Sequence, residues 1–420
     1  MKPTLVDAVA LNRRYRKAPV RRRLAECILG LVALSLTGGI TVSRAAASPF
    51  IQASGTQLVL NGSAYTFVGY NNYRAPSMPG GYTCGGAVSD AQLDQMMAQV
   101  RNASGGTIVR TWFFQSYENG SANNFAAYDR VLAAAAAHGI RIIATLTNQW
   151  GACEPGHPYR DLSWYQSGYL QPDSGYALSF KDFAVSMAAH YASDDRIAFW
   201  QLVNEAEAKS GGSGGSCNES AAASALRSFG DTMTQAIHSV DPNHLVSLGE
   251  MGGGQCGMAG ADYTYVHAGA VQLCEYHDYN KETQGRPQHL QDDETACGSS
   301  GLNKPLFNGE AGIRGASGQQ RANEFDAKLS AFFSDGGAGF LIWSKSGSGG
   351  SWDIPDGDPT EAVMLKYSHG GPGPSTENTP PPTSNSTPTP TSESPSPTPS
   401  SSPLHCTITI DNGNVTGQCH

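Results

Sequence analysis

A (β/α)8 barrel is the fold class this sequence predicts, and three observations carry the prediction. Strand-patterned and helix-patterned segments alternate about eight times over about 320 residues, the length range of one such barrel. Polar side chains collect at the C-terminal ends of the strand segments, which is where an α/β barrel keeps its chemistry. An open doubly wound sheet shares the alternation, but it announces itself with a Gly-rich phosphate turn after its first strand, and GYNNY stands there instead. A short hairpin is expected before the barrel and a disordered tail after it.

The elements follow in order. Asn61-Gly62 marks the hairpin turn. A strand over 65–69 ends in Asn71-Asn72, and a capped helix is expected over 89–103. A second strand, 107–112, carries Arg110 and Trp112, and an Ala-rich helix over 123–138 stops at Gly139. The third strand, 140–146, runs into Asn148-Gln149-Trp150, and a helix spans 176–192. The fourth, 197–203, is apolar on both faces, as a covered parallel strand must be, and stops abruptly at Asn204-Glu205. Alone, that pair is more often a helix cap with a first-turn acid. A helix over 221–240 is closed by Asp241-Pro242, and a fifth strand over 244–248 ends near Glu250. The sixth strand, 271–276, leads into His277-Asp278-Tyr279, and the seventh, 304–308, into Gly309-Glu310. A helix over 317–334, an eighth strand over 338–342 ending in Trp343, and a helix over 360–367 complete the pattern.

Composition narrows the function. The net charge of -9, from 27 basic and 36 acidic residues, argues against nucleic acid as a partner. Residues 1–47 read as a signal peptide: Arg13, Arg14, Arg16, Lys17 and 21–23 are basic, 27–42 is mostly apolar, and Ala45-Ala46-Ala47 offers a cleavage site. A membrane anchor is the alternative, but the apolar run is short and is broken by Gly38-Gly39. A secreted monomer starting near Ser48, with no membrane attachment after cleavage, is expected. Cys84, Cys153, Cys217, Cys256, Cys274 and Cys297 lie in the barrel domain, 48–370, without C-x-x-C spacing, which favours disulfides over zinc. Six cysteines allow 15 connectivities; the one taken here pairs Cys84 with Cys153, Cys217 with Cys256, and Cys274 with Cys297.

The candidate site is the set of polar residues at strand ends: Arg110, Asn148, Asn204, Glu205, His277, Tyr279, Glu310 and Trp343, with Trp150 and Asn72 beside them. Each has a bland alternative, such as a structural ion pair for Arg110 or core packing for Trp343. Glu205 and Glu310, on the fourth and seventh strands, face each other across a barrel mouth. Paired carboxyls so placed suit glycoside hydrolysis, in which one protonates the leaving oxygen and the other attacks or activates water. Beside Arg110, Glu310 is expected to have a lowered pKa, and Glu205, in a sugar-filled cleft, a raised one. Trp112, Trp150, Trp164, Tyr165 and Trp352 could add sugar subsites, whereas Asp353 and Asp356 are weak grounds for a cation. No metal and no cofactor is expected.

FWQLVNEAE, CEYHDY, PLFNGEAG and GFLIWSKS, in this order and spacing, resemble the marks of glycoside hydrolase family 5, a family of clan A retaining glycosidases, over about residues 50–367. The resemblance implies that Glu205 is the general acid/base and Glu310 the nucleophile. It further implies that Asn204 binds the sugar 2-hydroxyl, Arg110 holds the nucleophile ionised, His277 and Tyr279 orient the carboxylates, and Trp343 floors the −1 subsite. LTNQWG resembles the endo-β-1,4-mannanase branch, with Gln149 in place of a second Asn. A cellulase-like His near that strand end is missing, which favours mannan over β-1,4-glucan. Exo-β-mannosidase activity, and a non-catalytic carbohydrate-binding cell-wall protein on the same barrel, remain alternatives. Residues 371–404 are a Pro/Ser/Thr-rich linker by composition, and 405–420, bounded by Cys406 and Cys419, read either as a stapled hairpin or as a truncated module.

Overall fold

The computed structural model describes residues 48–368, apart from 174, 282–284, 315 and 317, together with the strands 406–411 and 414–419. The expected signal peptide and linker lie outside the described residues. Three short antiparallel strands come first: β1 (Gln52–Ser54), β2 (Gln57–Leu60) and β3 (Ser63–Tyr65). The β2–β3 turn has Asn61 and Gly62 at φ 53° and 74°, the left-handed pair that a two-residue hairpin requires.

The barrel strands are β4 (Phe67–Asn71), β5 (Ile108–Trp112), β6 (Arg141–Thr145), β7 (Ile197–Gln201), β8 (Leu245–Ser247), β9 (Cys274–Asp278), β10 (Leu306–Ala311) and β11 (Gly339–Ile342). They form one sheet in the order β8-β7-β6-β5-β4-β11-β10-β9, in which every neighbouring pair is parallel. The sheet curls into a nearly closed barrel. At the β8/β9 seam, Gln272 N donates to Val246 O (3.0 Å) and Val246 N to the Gln272 side chain (2.8 Å). Every barrel strand is buried along its whole length, which is why their sequences read as apolar runs and not as alternations.

Nine helices are described: α1 (Asp90–Ser104), α2 (Ala126–Ala137), α3 (Leu162–Gln166), α4 (Phe180–Tyr191), α5 (Glu219–His238), α6 (Ala261–His267), α7 (Gln288–Cys297), α8 (Gln319–Ser334) and α9 (Pro359–Tyr367). None of the described helices is long and apolar enough to cross a membrane. Ser89 caps α1 in a reciprocal box with Gln92, and Gly105 ends it at φ 63°. Two apolar cores result. One lies between helices and strands, and the other joins Leu58, Leu60 and Tyr65 of the hairpin to Phe67, Ile108, Phe199 and Phe307 at the N-terminal ends of the barrel strands. The hairpin therefore stoppers the end of the barrel opposite the chemistry.

Three disulfides form, Cys84–Cys153, Cys217–Cys256 and Cys274–Cys297, the pairing taken from the sequence. In the tail, 406–411 and 414–419 pair antiparallel, with Cys406 opposite Cys419.

Candidate active site

The site is assembled around one guanidinium. Arg110 points from β5 into the barrel mouth and is fully buried. Its Nη1 donates to Glu310 Oε1 (2.6 Å) and Asn71 Oδ1 (2.7 Å), Nη2 to Asn204 Oδ1 (2.6 Å), and Nε to Gln201 Oε1 (2.7 Å). A buried cation needs this many acceptors to offset its desolvation. The four acceptors come from three stretches of the barrel, Gln201 and Asn204 both from the end of β7, so Arg110 ties β4, β7 and β10 together.

Glu310 sits in a bulge of β10, where the pairing with β9 slips between Asn308 and Glu310. Asn71 Nδ2 holds the bulge by donating to Gly309 O (2.9 Å). The second oxygen of Glu310 accepts from the Tyr279 hydroxyl (2.5 Å), so both oxygens are held by donors. Glu205 lies just beyond β7 with φ 61°, a left-handed conformation that costs a β-carbon-bearing residue energy and is characteristic of functional positions. The turn is held because Asn204 N donates to Thr147 O (2.7 Å), Gln149 N to Asn204 O (3.0 Å) and Ala206 N to Gly249 O (3.1 Å). The Glu205 carboxylate accepts from Trp150 Nε1 (2.5 Å) and faces His277 Nδ1 (3.0 Å). One ligand atom each of Glu205, His277 and Glu310 lie within 4.8 Å of one another. That spacing could hold a cation, but Arg110 and a protonated His277 already supply positive charge to these carboxylates. Cys217, Glu219 and Cys256 also cluster, with both sulfurs committed to a disulfide.

The electrostatics depart from the sequence expectation. Burial pushes the Glu310 carboxyl up from its ordinary value, and the charges of His277 and Arg110 only partly offset it. Burial also acts on Glu205, but the hydrogen bond and charge of His277, with the Trp150 N–H, outweigh it and hold that carboxyl below the usual range. The order is thus the reverse of the one expected. The reason is burial: each carboxylate has two donors, but Glu310, with a 4% exposed side chain against 16% for Glu205, is cut off further from solvent. His277 is opposed by burial yet raised to about 10 by the charge of Glu310 and its bonds to Glu205 and Glu275.

Of the residues singled out in the sequence, Arg110, Asn148, Asn204, Glu205, His277, Tyr279, Glu310 and Trp150 form one hydrogen-bonded set, Asn148 joining through Asn204 Nδ2 (3.1 Å). Trp343 forms the aromatic wall, its ring 5.9 Å from those of Tyr73 and Trp112, and Arg110 lies over Trp112 (4.9 Å). The Trp343-Ser344 peptide is cis. Asn72 stands apart: its side chain caps the backbone N–H of Arg74 (3.2 Å), and its neighbour Asn71 is the residue that reaches Arg110. Trp164 and Tyr165 are buried against Phe229 and are core residues, whereas Trp150 is 40% exposed. Asp353 is spent on its own loop, accepting from Ser344, Ser346 and Ser348. Gln201 and Glu275 were not singled out for this site. Their signal was a polar residue inside an otherwise apolar strand, FWQLV and LCEY.

Two glutamates facing each other at the C-terminal mouth of a barrel, one of them pinned by an arginine, fit a class of carbohydrate-cleaving enzymes, the glycoside hydrolases. Within it, the chain belongs to glycosyl hydrolase family 5, whose cellulase model matches residues 68–349. It is 26% identical over 251 residues to mannan endo-1,4-beta-mannosidase 2 of Oryza sativa subsp. japonica, covering 53% of this chain and 52% of that one. It is 25% identical over 265 residues to a probable mannan endo-1,4-beta-mannosidase C of Aspergillus terreus, covering 54% and 60%. The chain thus spans about half the length of such relatives. Among solved structures, the endo-1,4-beta-mannanase from Rhizomucor miehei matches the fold with a TM-score of 0.58 at 20% identity, over 76% of this chain and 98% of that one.

Proposed function

We propose that the protein is a secreted, retaining β-glycoside hydrolase that cleaves β-1,4-linked mannan. The observation that carries the mechanism is the close approach of the carboxylates, with an oxygen of Glu205 and one of Glu310 within 4.8 Å. Retaining pairs stand ~5–5.5 Å apart, and inverting pairs ~6.5–9.5 Å, to leave room for a water.

Glu310 is the nucleophile. Both its oxygens are fixed by Arg110 and Tyr279, so it presents one geometry to the anomeric carbon. Glu205 is the acid/base: as Glu310 forms its bond to the anomeric carbon, the leaving oxygen departs with the Glu205 proton. Water then gives its proton to Glu205 and its oxygen to the anomeric carbon, and Glu310 leaves as carboxylate. Asn204, oriented by Arg110 and Asn148, has a second amide hydrogen for a sugar hydroxyl. Trp343 offers a half-buried ring to the sugar face. Mannan is supported by the relatives, which are named mannan endo-1,4-beta-mannosidases, and by the loop after β6. There LTNQWG resembles the mannanase branch, with Gln149, in place of a second Asn, buried and donating to Arg160 O (2.6 Å) while accepting from Tyr165. Secretion is supported by the signal-like segment and by the three disulfides.

The test is hydrolysis of a mannan and β-glucan panel by wild type, Glu205→Ala and Glu310→Ala. Mannan turnover is expected to fall by ~10²–10⁴-fold in Glu205→Ala and at least as far in Glu310→Ala. Equal activity of the three proteins would overturn the assignment. By NMR, the first-formed product should be the β-anomer, and an α-anomer would exclude retention.

A further inference from the structure

A second buried carboxylate lies beneath the site. Glu275, on β9, is wholly buried, and every partner of its oxygens is a donor: Gln201 Nε2 (2.6 and 2.8 Å), Ser247 Oγ (2.6 Å) and His277 Nε2 (3.3 Å). Gln201 cannot present the other end of its amide to Glu275. Its Oε1 already accepts from Arg110 Nε (2.7 Å) and Thr145 Oγ1 (2.7 Å), which fixes the NH₂ group on the carboxylate. A closed circuit results, running from Arg110 through Gln201, Glu275 and His277 to Glu205 and Glu310, and back to Arg110. Room for it is made at Gly309, where a Cβ would stand 1.9 Å from Glu275 Oε1.

We propose that Glu275 is a positioning residue that keeps His277 doubly protonated, with its Nδ1–H directed at the Glu205 and Glu310 carboxylates. The geometry is the reason. Both ring nitrogens face carboxylate oxygens, Nε2 that of Glu275 and Nδ1 those of Glu205 (3.0 Å) and Glu310 (3.6 Å), so each nitrogen must carry a hydrogen. The surrounding charges agree. His277 is faced by three carboxylates, with Arg110 on the far side of Glu310. Glu250, which accepts from Glu275 N (3.1 Å), is paired with His267 (2.6 Å), and the hydroxyls of Tyr279 and Tyr263 point to Glu310 and to the Glu275 carbonyl. The raised pKa of His277 is the expected consequence. Glu275 touches no sugar and acts through the imidazolium, whose charge sets how readily Glu205 and Glu310 ionise.

The inference rests on the roles proposed for Glu205 and Glu310, and the experiment separates the two. kcat and KM are measured from pH 4 to 10 for wild type, Glu275→Gln and Glu310→Ala. Loss of the imidazolium charge should raise the pKa of both catalytic carboxyls. Both limbs of the Glu275→Gln profile are therefore expected to move up by about one pH unit, with kcat at the wild-type optimum down roughly tenfold and KM little changed. A Glu275→Gln profile superimposable on wild type, with Glu310→Ala inactive, overturns this inference alone; an active Glu310→Ala overturns the mechanism instead. Should Glu275→Gln not fold, the ¹⁵N shifts of His277 in the wild-type protein at pH 7 decide. A doubly protonated ring supports the role, and a neutral ring overturns it.

Discussion

At the scale of single residues, the site works by allotting donors. Arg110 and Tyr279 hold Glu310, while Trp150 and His277 hold Glu205. The Trp150 N–H favours the ionised form of Glu205, which works against the acid role proposed for it. Trp150→Phe keeps an aromatic face and removes that donor, so Glu205 should gain protons more readily. The alkaline limb of kcat/KM, which reports the acid of the substrate-free enzyme, is then expected to move to higher pH. A limb that stays in place or moves down would show that Trp150 does not set the Glu205 proton. Most of the residues named from the sequence could be picked out because each is a polar or aromatic group in or just after the end of a strand, although Asn72 stands apart from the set that the barrel brings together. Asn71, Gln201 and Glu275 were harder to see. They lie within strands, and only the folded barrel shows that their side chains turn toward Arg110 and His277. The pKa order was not legible at all, because it depends on how deeply each carboxyl is buried and on the His277 and Trp150 donors that reach Glu205.

At the scale of elements, the strands were legible and three of the shorter helices were not. A parallel strand covered on both faces is mostly apolar, and each of β4 to β11 could be read from such a run even where it carries a polar residue. The segments α3, α6 and α7 carry no such signature. α3 has five residues and α6 seven, and α7 buries only Leu290, Asp293 and Cys297 along a polar decapeptide. Without a stripe of apolar positions, the helical period cannot be read. The β10 bulge is the element on which the chemistry hangs, and Gly309 is its weak point. Its missing side chain admits the carboxylate of Glu275, and a Cβ would also approach His277 Nε2 to 2.9 Å. Gly309→Ala should therefore push Glu275 and His277 off their partners. A stability loss of about 1–3 kcal/mol is expected from overpacking, read by chemical denaturation. Activity should fall further than that loss explains, since the folded fraction stays near unity. A variant as active and stable as wild type would mean that the pocket yields without cost.

At the scale of the whole molecule, the barrel supplies a rigid floor and the disulfides tie down what surrounds it. Cys84–Cys153 joins the loop after β4 to the loop after β6, and Cys217–Cys256 joins the loops after β7 and β8, so both brace the mouth. Cys274–Cys297 instead links the start of β9 to the end of α7, and both its cysteines are buried. The first bridge lies three residues beyond Trp150, and Ser116 Oγ reinforces its loop by donating to Cys153 O (3.0 Å). Mild reductant should thus distinguish the bridges by access. Cys84, Cys153 and Cys217 are partly or fully exposed and should be alkylated after reduction of the native protein, together with Cys256 as the partner of Cys217. Cys274 and Cys297 should stay protected until the barrel unfolds, which peptide mapping by mass spectrometry reads directly. Each bridge opened should cost about 2–5 kcal/mol of stability by freeing the unfolded chain, lowering Tm. Opening the Cys84–Cys153 bridge should also weaken kcat/KM, because the loop that aims the indole at Glu205 loses its anchor. Equal labelling of all six cysteines under native conditions would show that the third bridge is not buried as described. Unchanged kcat/KM after the first opens would show that the barrel floor alone holds Trp150 in place.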